Sequence, residues 1–310
     1  MMTPEFAPHA FVCHRMKVLL SAALLTIALS GNPASAATSL EAVHDAGGAG
    51  WTRAPFPSEI EQLFCELVID RFVPQLLYAL DNEGAAHTVR AREGVWVHMP
   101  MEGVSTKYAA LATDPHTSDV LYAAKANSGI ESIHMVDAGN PFTEPVVASG
   151  RYIALAADEG KAGCIYAAKE SGGVDVIQQK SGAWTSSELK GLEKVQFVAL
   201  AFDRVLANTL YALGKDGVLY EFKETAGYWF CEFVASPSEG HQYTAMACSG
   251  QEAQYLFAAR ADGGVDAIHL LEDGNWKTDT LVRSGEFVAL AADKNIPNYV
   301  YAALALPAEP

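Results

Sequence analysis

One acidic residue, Glu66, breaks a position that is alanine in five similar segments of this 310-residue chain. Its equivalents are Ala110, Ala154, Ala199, Ala245 and Ala289. A carboxylate in a crowded apolar neighbourhood needs a hydrogen-bond partner or water, and an acid in a cleft is a candidate ligand-binding or acid–base group. Two interpretations stay open: Glu66 has such a role, or it points into a water-filled channel and has none.

The residue two positions before Glu66 is the first of an aromatic series, and the residue before each aromatic varies. The variable residues are Leu63, Lys107, Arg151, Gln196, Gln242 and Glu286. Side chains that vary between copies are what a specific binding site would show. A set of solvated loops would show the same variation, so both interpretations remain.

Two further sets of residues recur at equivalent positions. Tyr108, Tyr152 and Tyr243 belong to the aromatic series, which could stack on sugars or cage a cation, or could be structural wedges. Lys125, Lys169 and Arg260 occupy one position after a later segment. Three cations at one level of an acidic chain could form an anion or carboxylate site, or they could be ordinary surface residues in turns.

Composition narrows the function classes. The chain has 37 acidic and 21 basic residues and a formal net charge of −16, which argues against a nucleic-acid binder and against docking on anionic lipid. His44, His134 and His269 share a position on predicted strands that lie too far apart to converge on one metal. We predict no metal and no cofactor. We expect Cys65, Cys164, Cys231 and Cys248 to be buried free thiols; a disulfide is the alternative that an exported protein allows.

All these residues belong to one repeat, present in six copies. The aromatic of a Leu-Tyr-Ala-like segment falls at positions 78, 122, 166, 211, 257 and 301, and the preceding Asp at 70, 114, 158, 203 and 293, with Ser249 in the fifth copy. Each copy holds four short β-branched or alanine-rich runs separated by turn residues. Four strands in a unit of roughly 45 residues are typical of a β-propeller blade. We label the strands A to D from the axis outwards.

The ends of the repeat array complement each other. The last copy stops after its strands A and B, within Phe287–Leu306, and the first segment, Leu40–His44 followed by Trp51, matches strands C and D. We therefore predict one all-β domain over residues 37–310, a six-bladed propeller of four-stranded antiparallel blades. Its last blade is closed by N-terminal strands C and D beside C-terminal strands A and B, which removes free sheet edges.

Residues 1–36 have the three parts of a secretion signal. Lys17 precedes the apolar run Val18–Leu29, and Ala34-Ser35-Ala36 forms a small-x-small cleavage sequence. Met16 is an alternative start, so residues 1–15 could be a mis-assigned start; a buried N-terminal helix is the structural alternative. The signal predicts a secreted or periplasmic protein without membrane attachment after cleavage. We expect it to be a monomer.

The phrase Phe-Val-Ala-Leu-Ala-x-Asp, followed by Leu-Tyr-Ala, Gly-Gly-Val and Gly-x-Trp, resembles repeats of the sialidase/BNR and YVTN-type β-propeller superfamily. The resemblance covers the mature chain and implies a site at the channel mouth, by analogy of fold. The Asp-box S-x-D-x-G-x-T-W is absent, and Lys180–Trp184 keeps only a remnant. Sialidases use arginines near the axis, whereas Arg53 in the R-x-P-like Arg53-Ala54-Pro55 falls on a predicted outer strand, so sialidase activity is not expected.

The leading hypothesis is an exported, lectin-like binding propeller that recognises a glycan, peptide or protein at its channel mouth without chemistry. One alternative is an enzyme of the glycoside hydrolase, lyase or lactonase type that uses Glu66 and the variable residues. Two carboxylates facing each other at about 5–9.5 Å would favour that alternative. The other is a passive protein-interaction scaffold that uses the blade sides.

Overall fold

The computed structural model describes residues 38–47, 50–56, 62–104, 106–136, 141–189, 195–235 and 242–305. The predicted signal lies outside these residues. The described ranges form 24 strands in six four-stranded antiparallel sheets. The innermost strand of each sheet contacts those of its two neighbours, which completes a ring. The chain is therefore an all-β, six-bladed β-propeller, as predicted. None of the described residues belongs to a helix with the length and apolar character that a bilayer crossing requires.

The strands follow the repeat. The first twelve are β1 (Thr38–Asp45), β2 (Trp51–Pro55), β3 (Phe64–Ile69), β4 (Leu76–Asp81), β5 (Ala86–Arg92), β6 (Val95–Pro100), β7 (Tyr108–Thr113), β8 (Val120–Lys125), β9 (Ile130–His134), β10 (Phe142–Val147), β11 (Tyr152–Ala157) and β12 (Cys164–Lys169). The others are β13 (Val174–Lys180), β14 (Ala183–Glu188), β15 (Phe197–Phe202), β16 (Thr209–Gly214), β17 (Leu219–Thr225), β18 (Tyr228–Ala235), β19 (Tyr243–Cys248), β20 (Tyr255–Arg260), β21 (Val265–Leu270), β22 (Trp276–Val282), β23 (Phe287–Ala292) and β24 (Tyr299–Ala305).

Five blades are continuous in sequence, and the sixth is not. Blades 1 to 5 are β3–β6, β7–β10, β11–β14, β15–β18 and β19–β22, each in the order A to D. Blade 6 consists of β23, β24, β1 and β2 in that order. β1 pairs antiparallel with β24, with Leu40 opposite Ala303 and Val43 opposite Val300. The predicted closure is confirmed.

The closing strand β1 packs on both of its faces. Leu40 belongs to a cluster of buried residues that includes Leu67 and Trp96 of blade 1. Val43 belongs to a cluster that includes Phe257 of blade 5. The strand therefore seals two blade interfaces, and burial of its apolar side chains favours the closed ring.

An aspartate after each inner strand holds the turn between strands A and B. In blade 2, Asp114 Oδ1 accepts the N–H groups of His116 and Thr117 at 2.7 and 3.0 Å, and its Oδ2 accepts the Tyr122 hydroxyl at 2.5 Å. Asp70, Asp158, Asp203 and Asp293 make equivalent contacts. Blade 5 has Ser249 in place of the aspartate and Phe257 in place of the tyrosine, so the carboxylate and the hydroxyl are lost together.

A β-bulge interrupts strand A of every blade at its second residue. A bulge inserts one extra residue and changes where the following side chains point. The first, aromatic residue of each strand A is 1–4% exposed and lies in the blade. The second residue lines the central channel. The bulge thus separates the structural aromatics from the residues that face the channel.

Candidate functional site

The inner strands surround a channel that has two halves. We call the face with the D–A and B–C loops the upper mouth and the face with the A–B loops the lower mouth. The upper half is a cavity of about 190 Å³ and the lower half a cavity of about 120 Å³. A girdle of apolar side chains borders both halves: Leu67, Leu111, Leu155, Leu200, Met246 and Leu290.

Glu66 lies in the wall of the upper cavity. Its Oε2 accepts a hydrogen bond from the Leu111 N–H at 2.9 Å. Leu111 lies on the inner edge of the next blade. Burial raises the pKa of Glu66 to about 8, although the hydrogen bond from Leu111 opposes the shift. Among the described residues that line this cavity, no second carboxylate accompanies Glu66. The pair of facing carboxylates that a glycosidase needs is therefore not found in this lining.

The cysteines differ in part from expectation. Cys164 and Cys248 are buried as expected, but Cys65 and Cys231 are exposed. Cys65 is the bulge residue of blade 1, which places it in the channel wall, and Cys231 lies on the outermost strand of blade 4. The Cys65 thiol donates to the Asp81 carbonyl at 3.3 Å, and desolvation by the surrounding channel wall, together with the nearby Glu66, raises its pKa to about 12. A thiol that stays protonated is a poor nucleophile.

The three candidate tyrosines turn away from the channel and bind acids on strand C of their own blades. The Tyr108 hydroxyl donates to Glu131 at 2.5 Å, the Tyr152 hydroxyl to Asp175 at 2.9 Å and the Tyr243 hydroxyl to Asp266 at 3.1 Å. The rings are buried. They offer no exposed aromatic platform at the upper mouth.

The three candidate cations pair with the same strand C acids. Lys125 lies 3.8 Å from Glu131, Lys169 3.4 Å from Asp175, and Arg260 donates to Asp266 at 2.9 Å. Each therefore pairs with the acid that its blade's tyrosine also binds. Lys169 also contacts Glu188. The structure keeps these cations in separate blades, where they neutralise buried acids.

In two of the blades whose strand A begins with phenylalanine, an arginine or a histidine pairs with an acid in place of a tyrosine. In blade 6, Arg53 on β2 donates to both oxygens of Glu41 at 2.7 and 3.0 Å and lies 5.2 Å from the ring centre of Phe287. In blade 1, His87 lies 3.1 Å from Asp81 beside Phe64. Arg53 thus lies on an outer strand, as predicted, and pairs with a structural acid.

Five of the six variable residues form the exposed ring of the upper mouth, whereas Leu63 is half-buried. Lys107, Arg151, Gln196, Gln242 and Glu286 are all exposed. In blades 2 to 5 the carbonyl of this residue accepts an N–H of the B–C loop at 2.7–2.9 Å, and in blade 6 the Glu286 carbonyl accepts the N–H of Ala305, the last residue of β24, at 2.8 Å. The main chain is therefore the same around the mouth, while the side chains differ. Lys107 lies 3.7 Å from Glu83, and Arg151 lies 3.0 Å from Glu170.

The structure brings only some of the candidates together. Arg151, Tyr152 and Lys169 line one groove of about 530 Å³ on blade 3, beside Glu170 and Asp175. Lys107 lines a neighbouring groove on blade 2. Glu66 lies deeper, in the channel. In the described ranges, no three His, Cys, Asp or Glu side chains are grouped so that they could hold a metal ion.

Sequence reasoning missed a charged cluster at the lower mouth. Arg71, Glu159, Arg204 and Lys294 come directly after the turn-holding aspartates of their blades. A signal was present in the sequence, because this position varies between copies: it is arginine twice, glutamate and lysine once each, and Pro115 and Gly250 in the other two.

Glu66→Gln should change how stability depends on pH. Between pH 4.5 and about 8 the folded protein keeps a proton on Glu66 that the unfolded chain releases. The wild-type free energy of unfolding should therefore fall as the pH rises through this range, and remain unaffected by Glu66 below it. The variant should gain stability relative to wild type across the same range.

Urea denaturation at pH values below, within and above this range measures the difference in the free energy of unfolding, with Glu286→Gln at the exposed ring as control. Parallel pH profiles for wild type and Glu66→Gln would contradict the burial of this carboxyl.

Comparison with known proteins bears on the fold alone. No family model matches the chain, and no curated protein matches it. The β-propeller domain of Cps50 (Swd1) from Myceliophteria thermophila is 10% identical with a TM-score of 0.55, over 83% of this chain and 88% of that one. A chain of the COPII outer coat vertex is 11% identical with a TM-score of 0.56, over 81% and 71%. An ancestral GH74 enzyme is 16% identical with a TM-score of 0.51, over 75% of this chain and 33% of that one. At these identities the likenesses establish a β-propeller and no specific membership of the sialidase/BNR superfamily.

Proposed function

We propose that this protein is an exported, non-catalytic binding propeller whose upper mouth recognises an extended segment of a partner protein. The observation that carries the proposal is the ring of Lys107, Arg151, Gln196, Gln242 and Glu286. One hydrogen bond per blade fixes its main chain, while its exposed side chains differ. A rigid frame with side chains of mixed charge suits recognition, because little entropy is lost on binding.

Two observations favour a polypeptide ligand over a glycan or a substrate. The tyrosines that could have stacked on sugar rings are buried and hydrogen-bonded within their blades. The upper cavity has one carboxylate in its described lining and lacks a facing acid. The COPII outer coat vertex, one of the similar structures, is a protein assembly, which agrees with a protein ligand.

Peptides selected from a random display library on the mature protein test the proposal. Binding of the selected peptides should weaken by at least about tenfold in Lys107→Ala/Arg151→Ala, because interface energy concentrates in a few anchor residues. The control variant Lys180→Ala/Lys277→Ala removes the same charge from exposed positions outside the ring, and should bind as wild type does. Mass spectrometry of the protein recovered after expression of the full chain should show a polypeptide that begins at Ala37, as cleavage of the predicted signal requires.

The other outcomes separate the alternatives. Peptides that depend on the control positions instead of the ring would favour the scaffold that uses blade sides. Selection of glycans on an array, with no peptide binder, would overturn the polypeptide ligand. Turnover of any substrate that is lost in Glu66→Gln would overturn a purely binding function.

A further inference from the structure

A cluster of charged side chains closes the lower end of the channel, away from the mouth that the proposed function uses. Glu159 of blade 3 binds Arg71 of blade 1 and lies 3.8 Å from Arg204 Nε of blade 4. Arg204 Nη1 also donates to the Ala292 carbonyl of blade 6 at 3.1 Å, and Lys294 donates to the Arg71 carbonyl. Side chains from four blades thus meet across the channel axis.

Positive charge exceeds negative charge in this cluster, on a chain whose net charge is −16. Three cations surround the carboxylate of Glu159, and the charges of Asp70 and Asp293 also act on Lys294 and Arg204. The carboxylate oxygens of the neighbouring Asp70 and Asp293 accept hydrogen bonds from turn N–H groups and tyrosine hydroxyls. Among the described residues, none of these aspartates lies within ion-pair distance of Arg71, Arg204 or Lys294.

The three cations lie close enough to affect one another. Burial and the nearby Arg71 lower the pKa of Arg204. Burial and the two arginines lower the pKa of Lys294. The Nε atom of Arg71 is buried and has no hydrogen-bond partner in the described structure. Buried donors are normally paired, so Arg71 keeps a hydrogen-bonding capacity that its contact with Glu159 does not use.

Exposed apolar side chains accompany the same three cations. Phe72 and Val73 follow Arg71, Val205 follows Arg204, and Ile296 lies two residues after Lys294; their exposed fractions are 46%, 43%, 50% and 40%. Lys294 Nζ lies 5.6 Å from the centre of the Phe72 ring. The blades without a cation have small or polar residues at these positions: His116, Thr117, Gly160, Lys161, Gln251 and Glu252. The lower mouth therefore combines a basic centre with an apolar rim.

We propose that the lower mouth binds a carboxylate that is joined to an apolar group. The guanidinium groups of Arg71 and Arg204 accept such an anion because their paired N–H donors match two carboxylate oxygens. Lys294 adds a third positive charge, and the apolar rim covers the attached group. Glu159 is the internal carboxylate that competes for the same arginines. A free aliphatic acid and the C-terminus of an apolar peptide carry this chemistry alike.

Isothermal titration of the mature protein at constant ionic strength tests the site with four probes: acetate, hexanoate, N-acetyl-leucine and N-acetyl-leucinamide. Hexanoate should bind at least about tenfold more tightly than acetate, because its extra methylene groups are buried. N-acetyl-leucinamide should not bind, because it lacks the carboxylate. Tighter binding of hexanoate identifies the aliphatic acid as the better source, and tighter binding of N-acetyl-leucine identifies the peptide terminus. Equal affinity for acetate and hexanoate would overturn the apolar rim.

Two variants with opposite expected effects separate binding from structural stabilisation. Arg204→Met should weaken hexanoate binding by at least about tenfold, since charge-assisted hydrogen bonds are lost. Glu159→Gln should tighten it severalfold, because the competing carboxylate is gone. Arg90→Met is the matched control: Arg90 is also partly buried with an unpartnered Nε, but it lies on strand C of blade 1.

The outcomes leave the site either supported or rejected. If Arg204→Met does not fold, Glu159→Gln still decides, because a purely structural cluster gives no gain in affinity. Absence of hexanoate binding in both wild type and Glu159→Gln overturns the proposal, as does an equal loss in Arg90→Met. Lys107→Ala/Arg151→Ala should leave hexanoate affinity unchanged. This result distinguishes failure of the lower-mouth site from failure of the proposed function at the upper mouth.

Discussion

Leu40→Ala should lower the free energy of unfolding by about 2–5 kcal/mol, the range for a fully buried leucine. Leu40 is 1% exposed on the closing strand and packs with Leu67 and Trp96 of the neighbouring blade. The substitution leaves a cavity at the interface where the ring closes. Urea denaturation followed by circular dichroism measures the loss.

Leu271→Ala provides the control for this prediction. Leu271 undergoes the same chemical change at a site that is 38% exposed, and surface substitutions usually change stability by less than about 0.5 kcal/mol. If Leu40→Ala were as mild as Leu271→Ala, the N-terminal strand would contribute little to the closed ring. The packing described for β1 would then be wrong.

Asp114→Ser should destabilise the protein by about 1–3 kcal/mol, because the buried Tyr122 hydroxyl loses its acceptor. A serine hydroxyl can still accept the two turn N–H groups, as Ser249 does at 3.1 and 3.3 Å in blade 5. Tyr122→Phe removes the hydroxyl alone and should cost less. The double variant reproduces the Ser249 and Phe257 combination of blade 5. Because the two residues share a hydrogen bond of 2.5 Å, the double variant should cost less than the sum of the single variants by about 1–2 kcal/mol.

Thermal and urea denaturation of the four proteins in this cycle measure the coupling. Tyr228→Phe controls for loss of a hydroxyl, since Tyr228 is 72% exposed. Simple additivity of Asp114→Ser and Tyr122→Phe would show that the two side chains do not stabilise each other.

The fold could be predicted because the repeat carries it redundantly. Each recurring position, such as that of Tyr122 or Asp114, is present in five or six copies. A wrong strand assignment in one copy is therefore revealed by comparison with the others. The closure followed from the same register, since Leu40–His44 matched Val265–His269 of strand C. These positions are set by packing between blades, which repeats with the chain.

The site was harder to predict because it depends on departures from the repeat. The bulge at Cys65 and its equivalents leaves no clear sequence signal, so an expected buried thiol faces the channel. The tyrosine–acid pairs were in principle readable, since Tyr108, Tyr152 and Tyr243 occur in the blades that carry Glu131, Asp175 and Asp266. The lower cluster depends on side chains that reach across the axis from Arg71 to Glu159, a contact with no fixed sequence spacing.

The closed ring also has a consequence for the order of folding. Leu40 pairs with Ala303, so the last blade joins strands from opposite ends of the described chain. Such a contact carries a large loop-closure entropy and forms late. Until β24 is available, β1 and β23 present open sheet edges that invite mispairing. If the chain is exported as proposed, the first and last strands meet only after translocation ends. The native ring therefore cannot form until the whole chain has crossed the membrane.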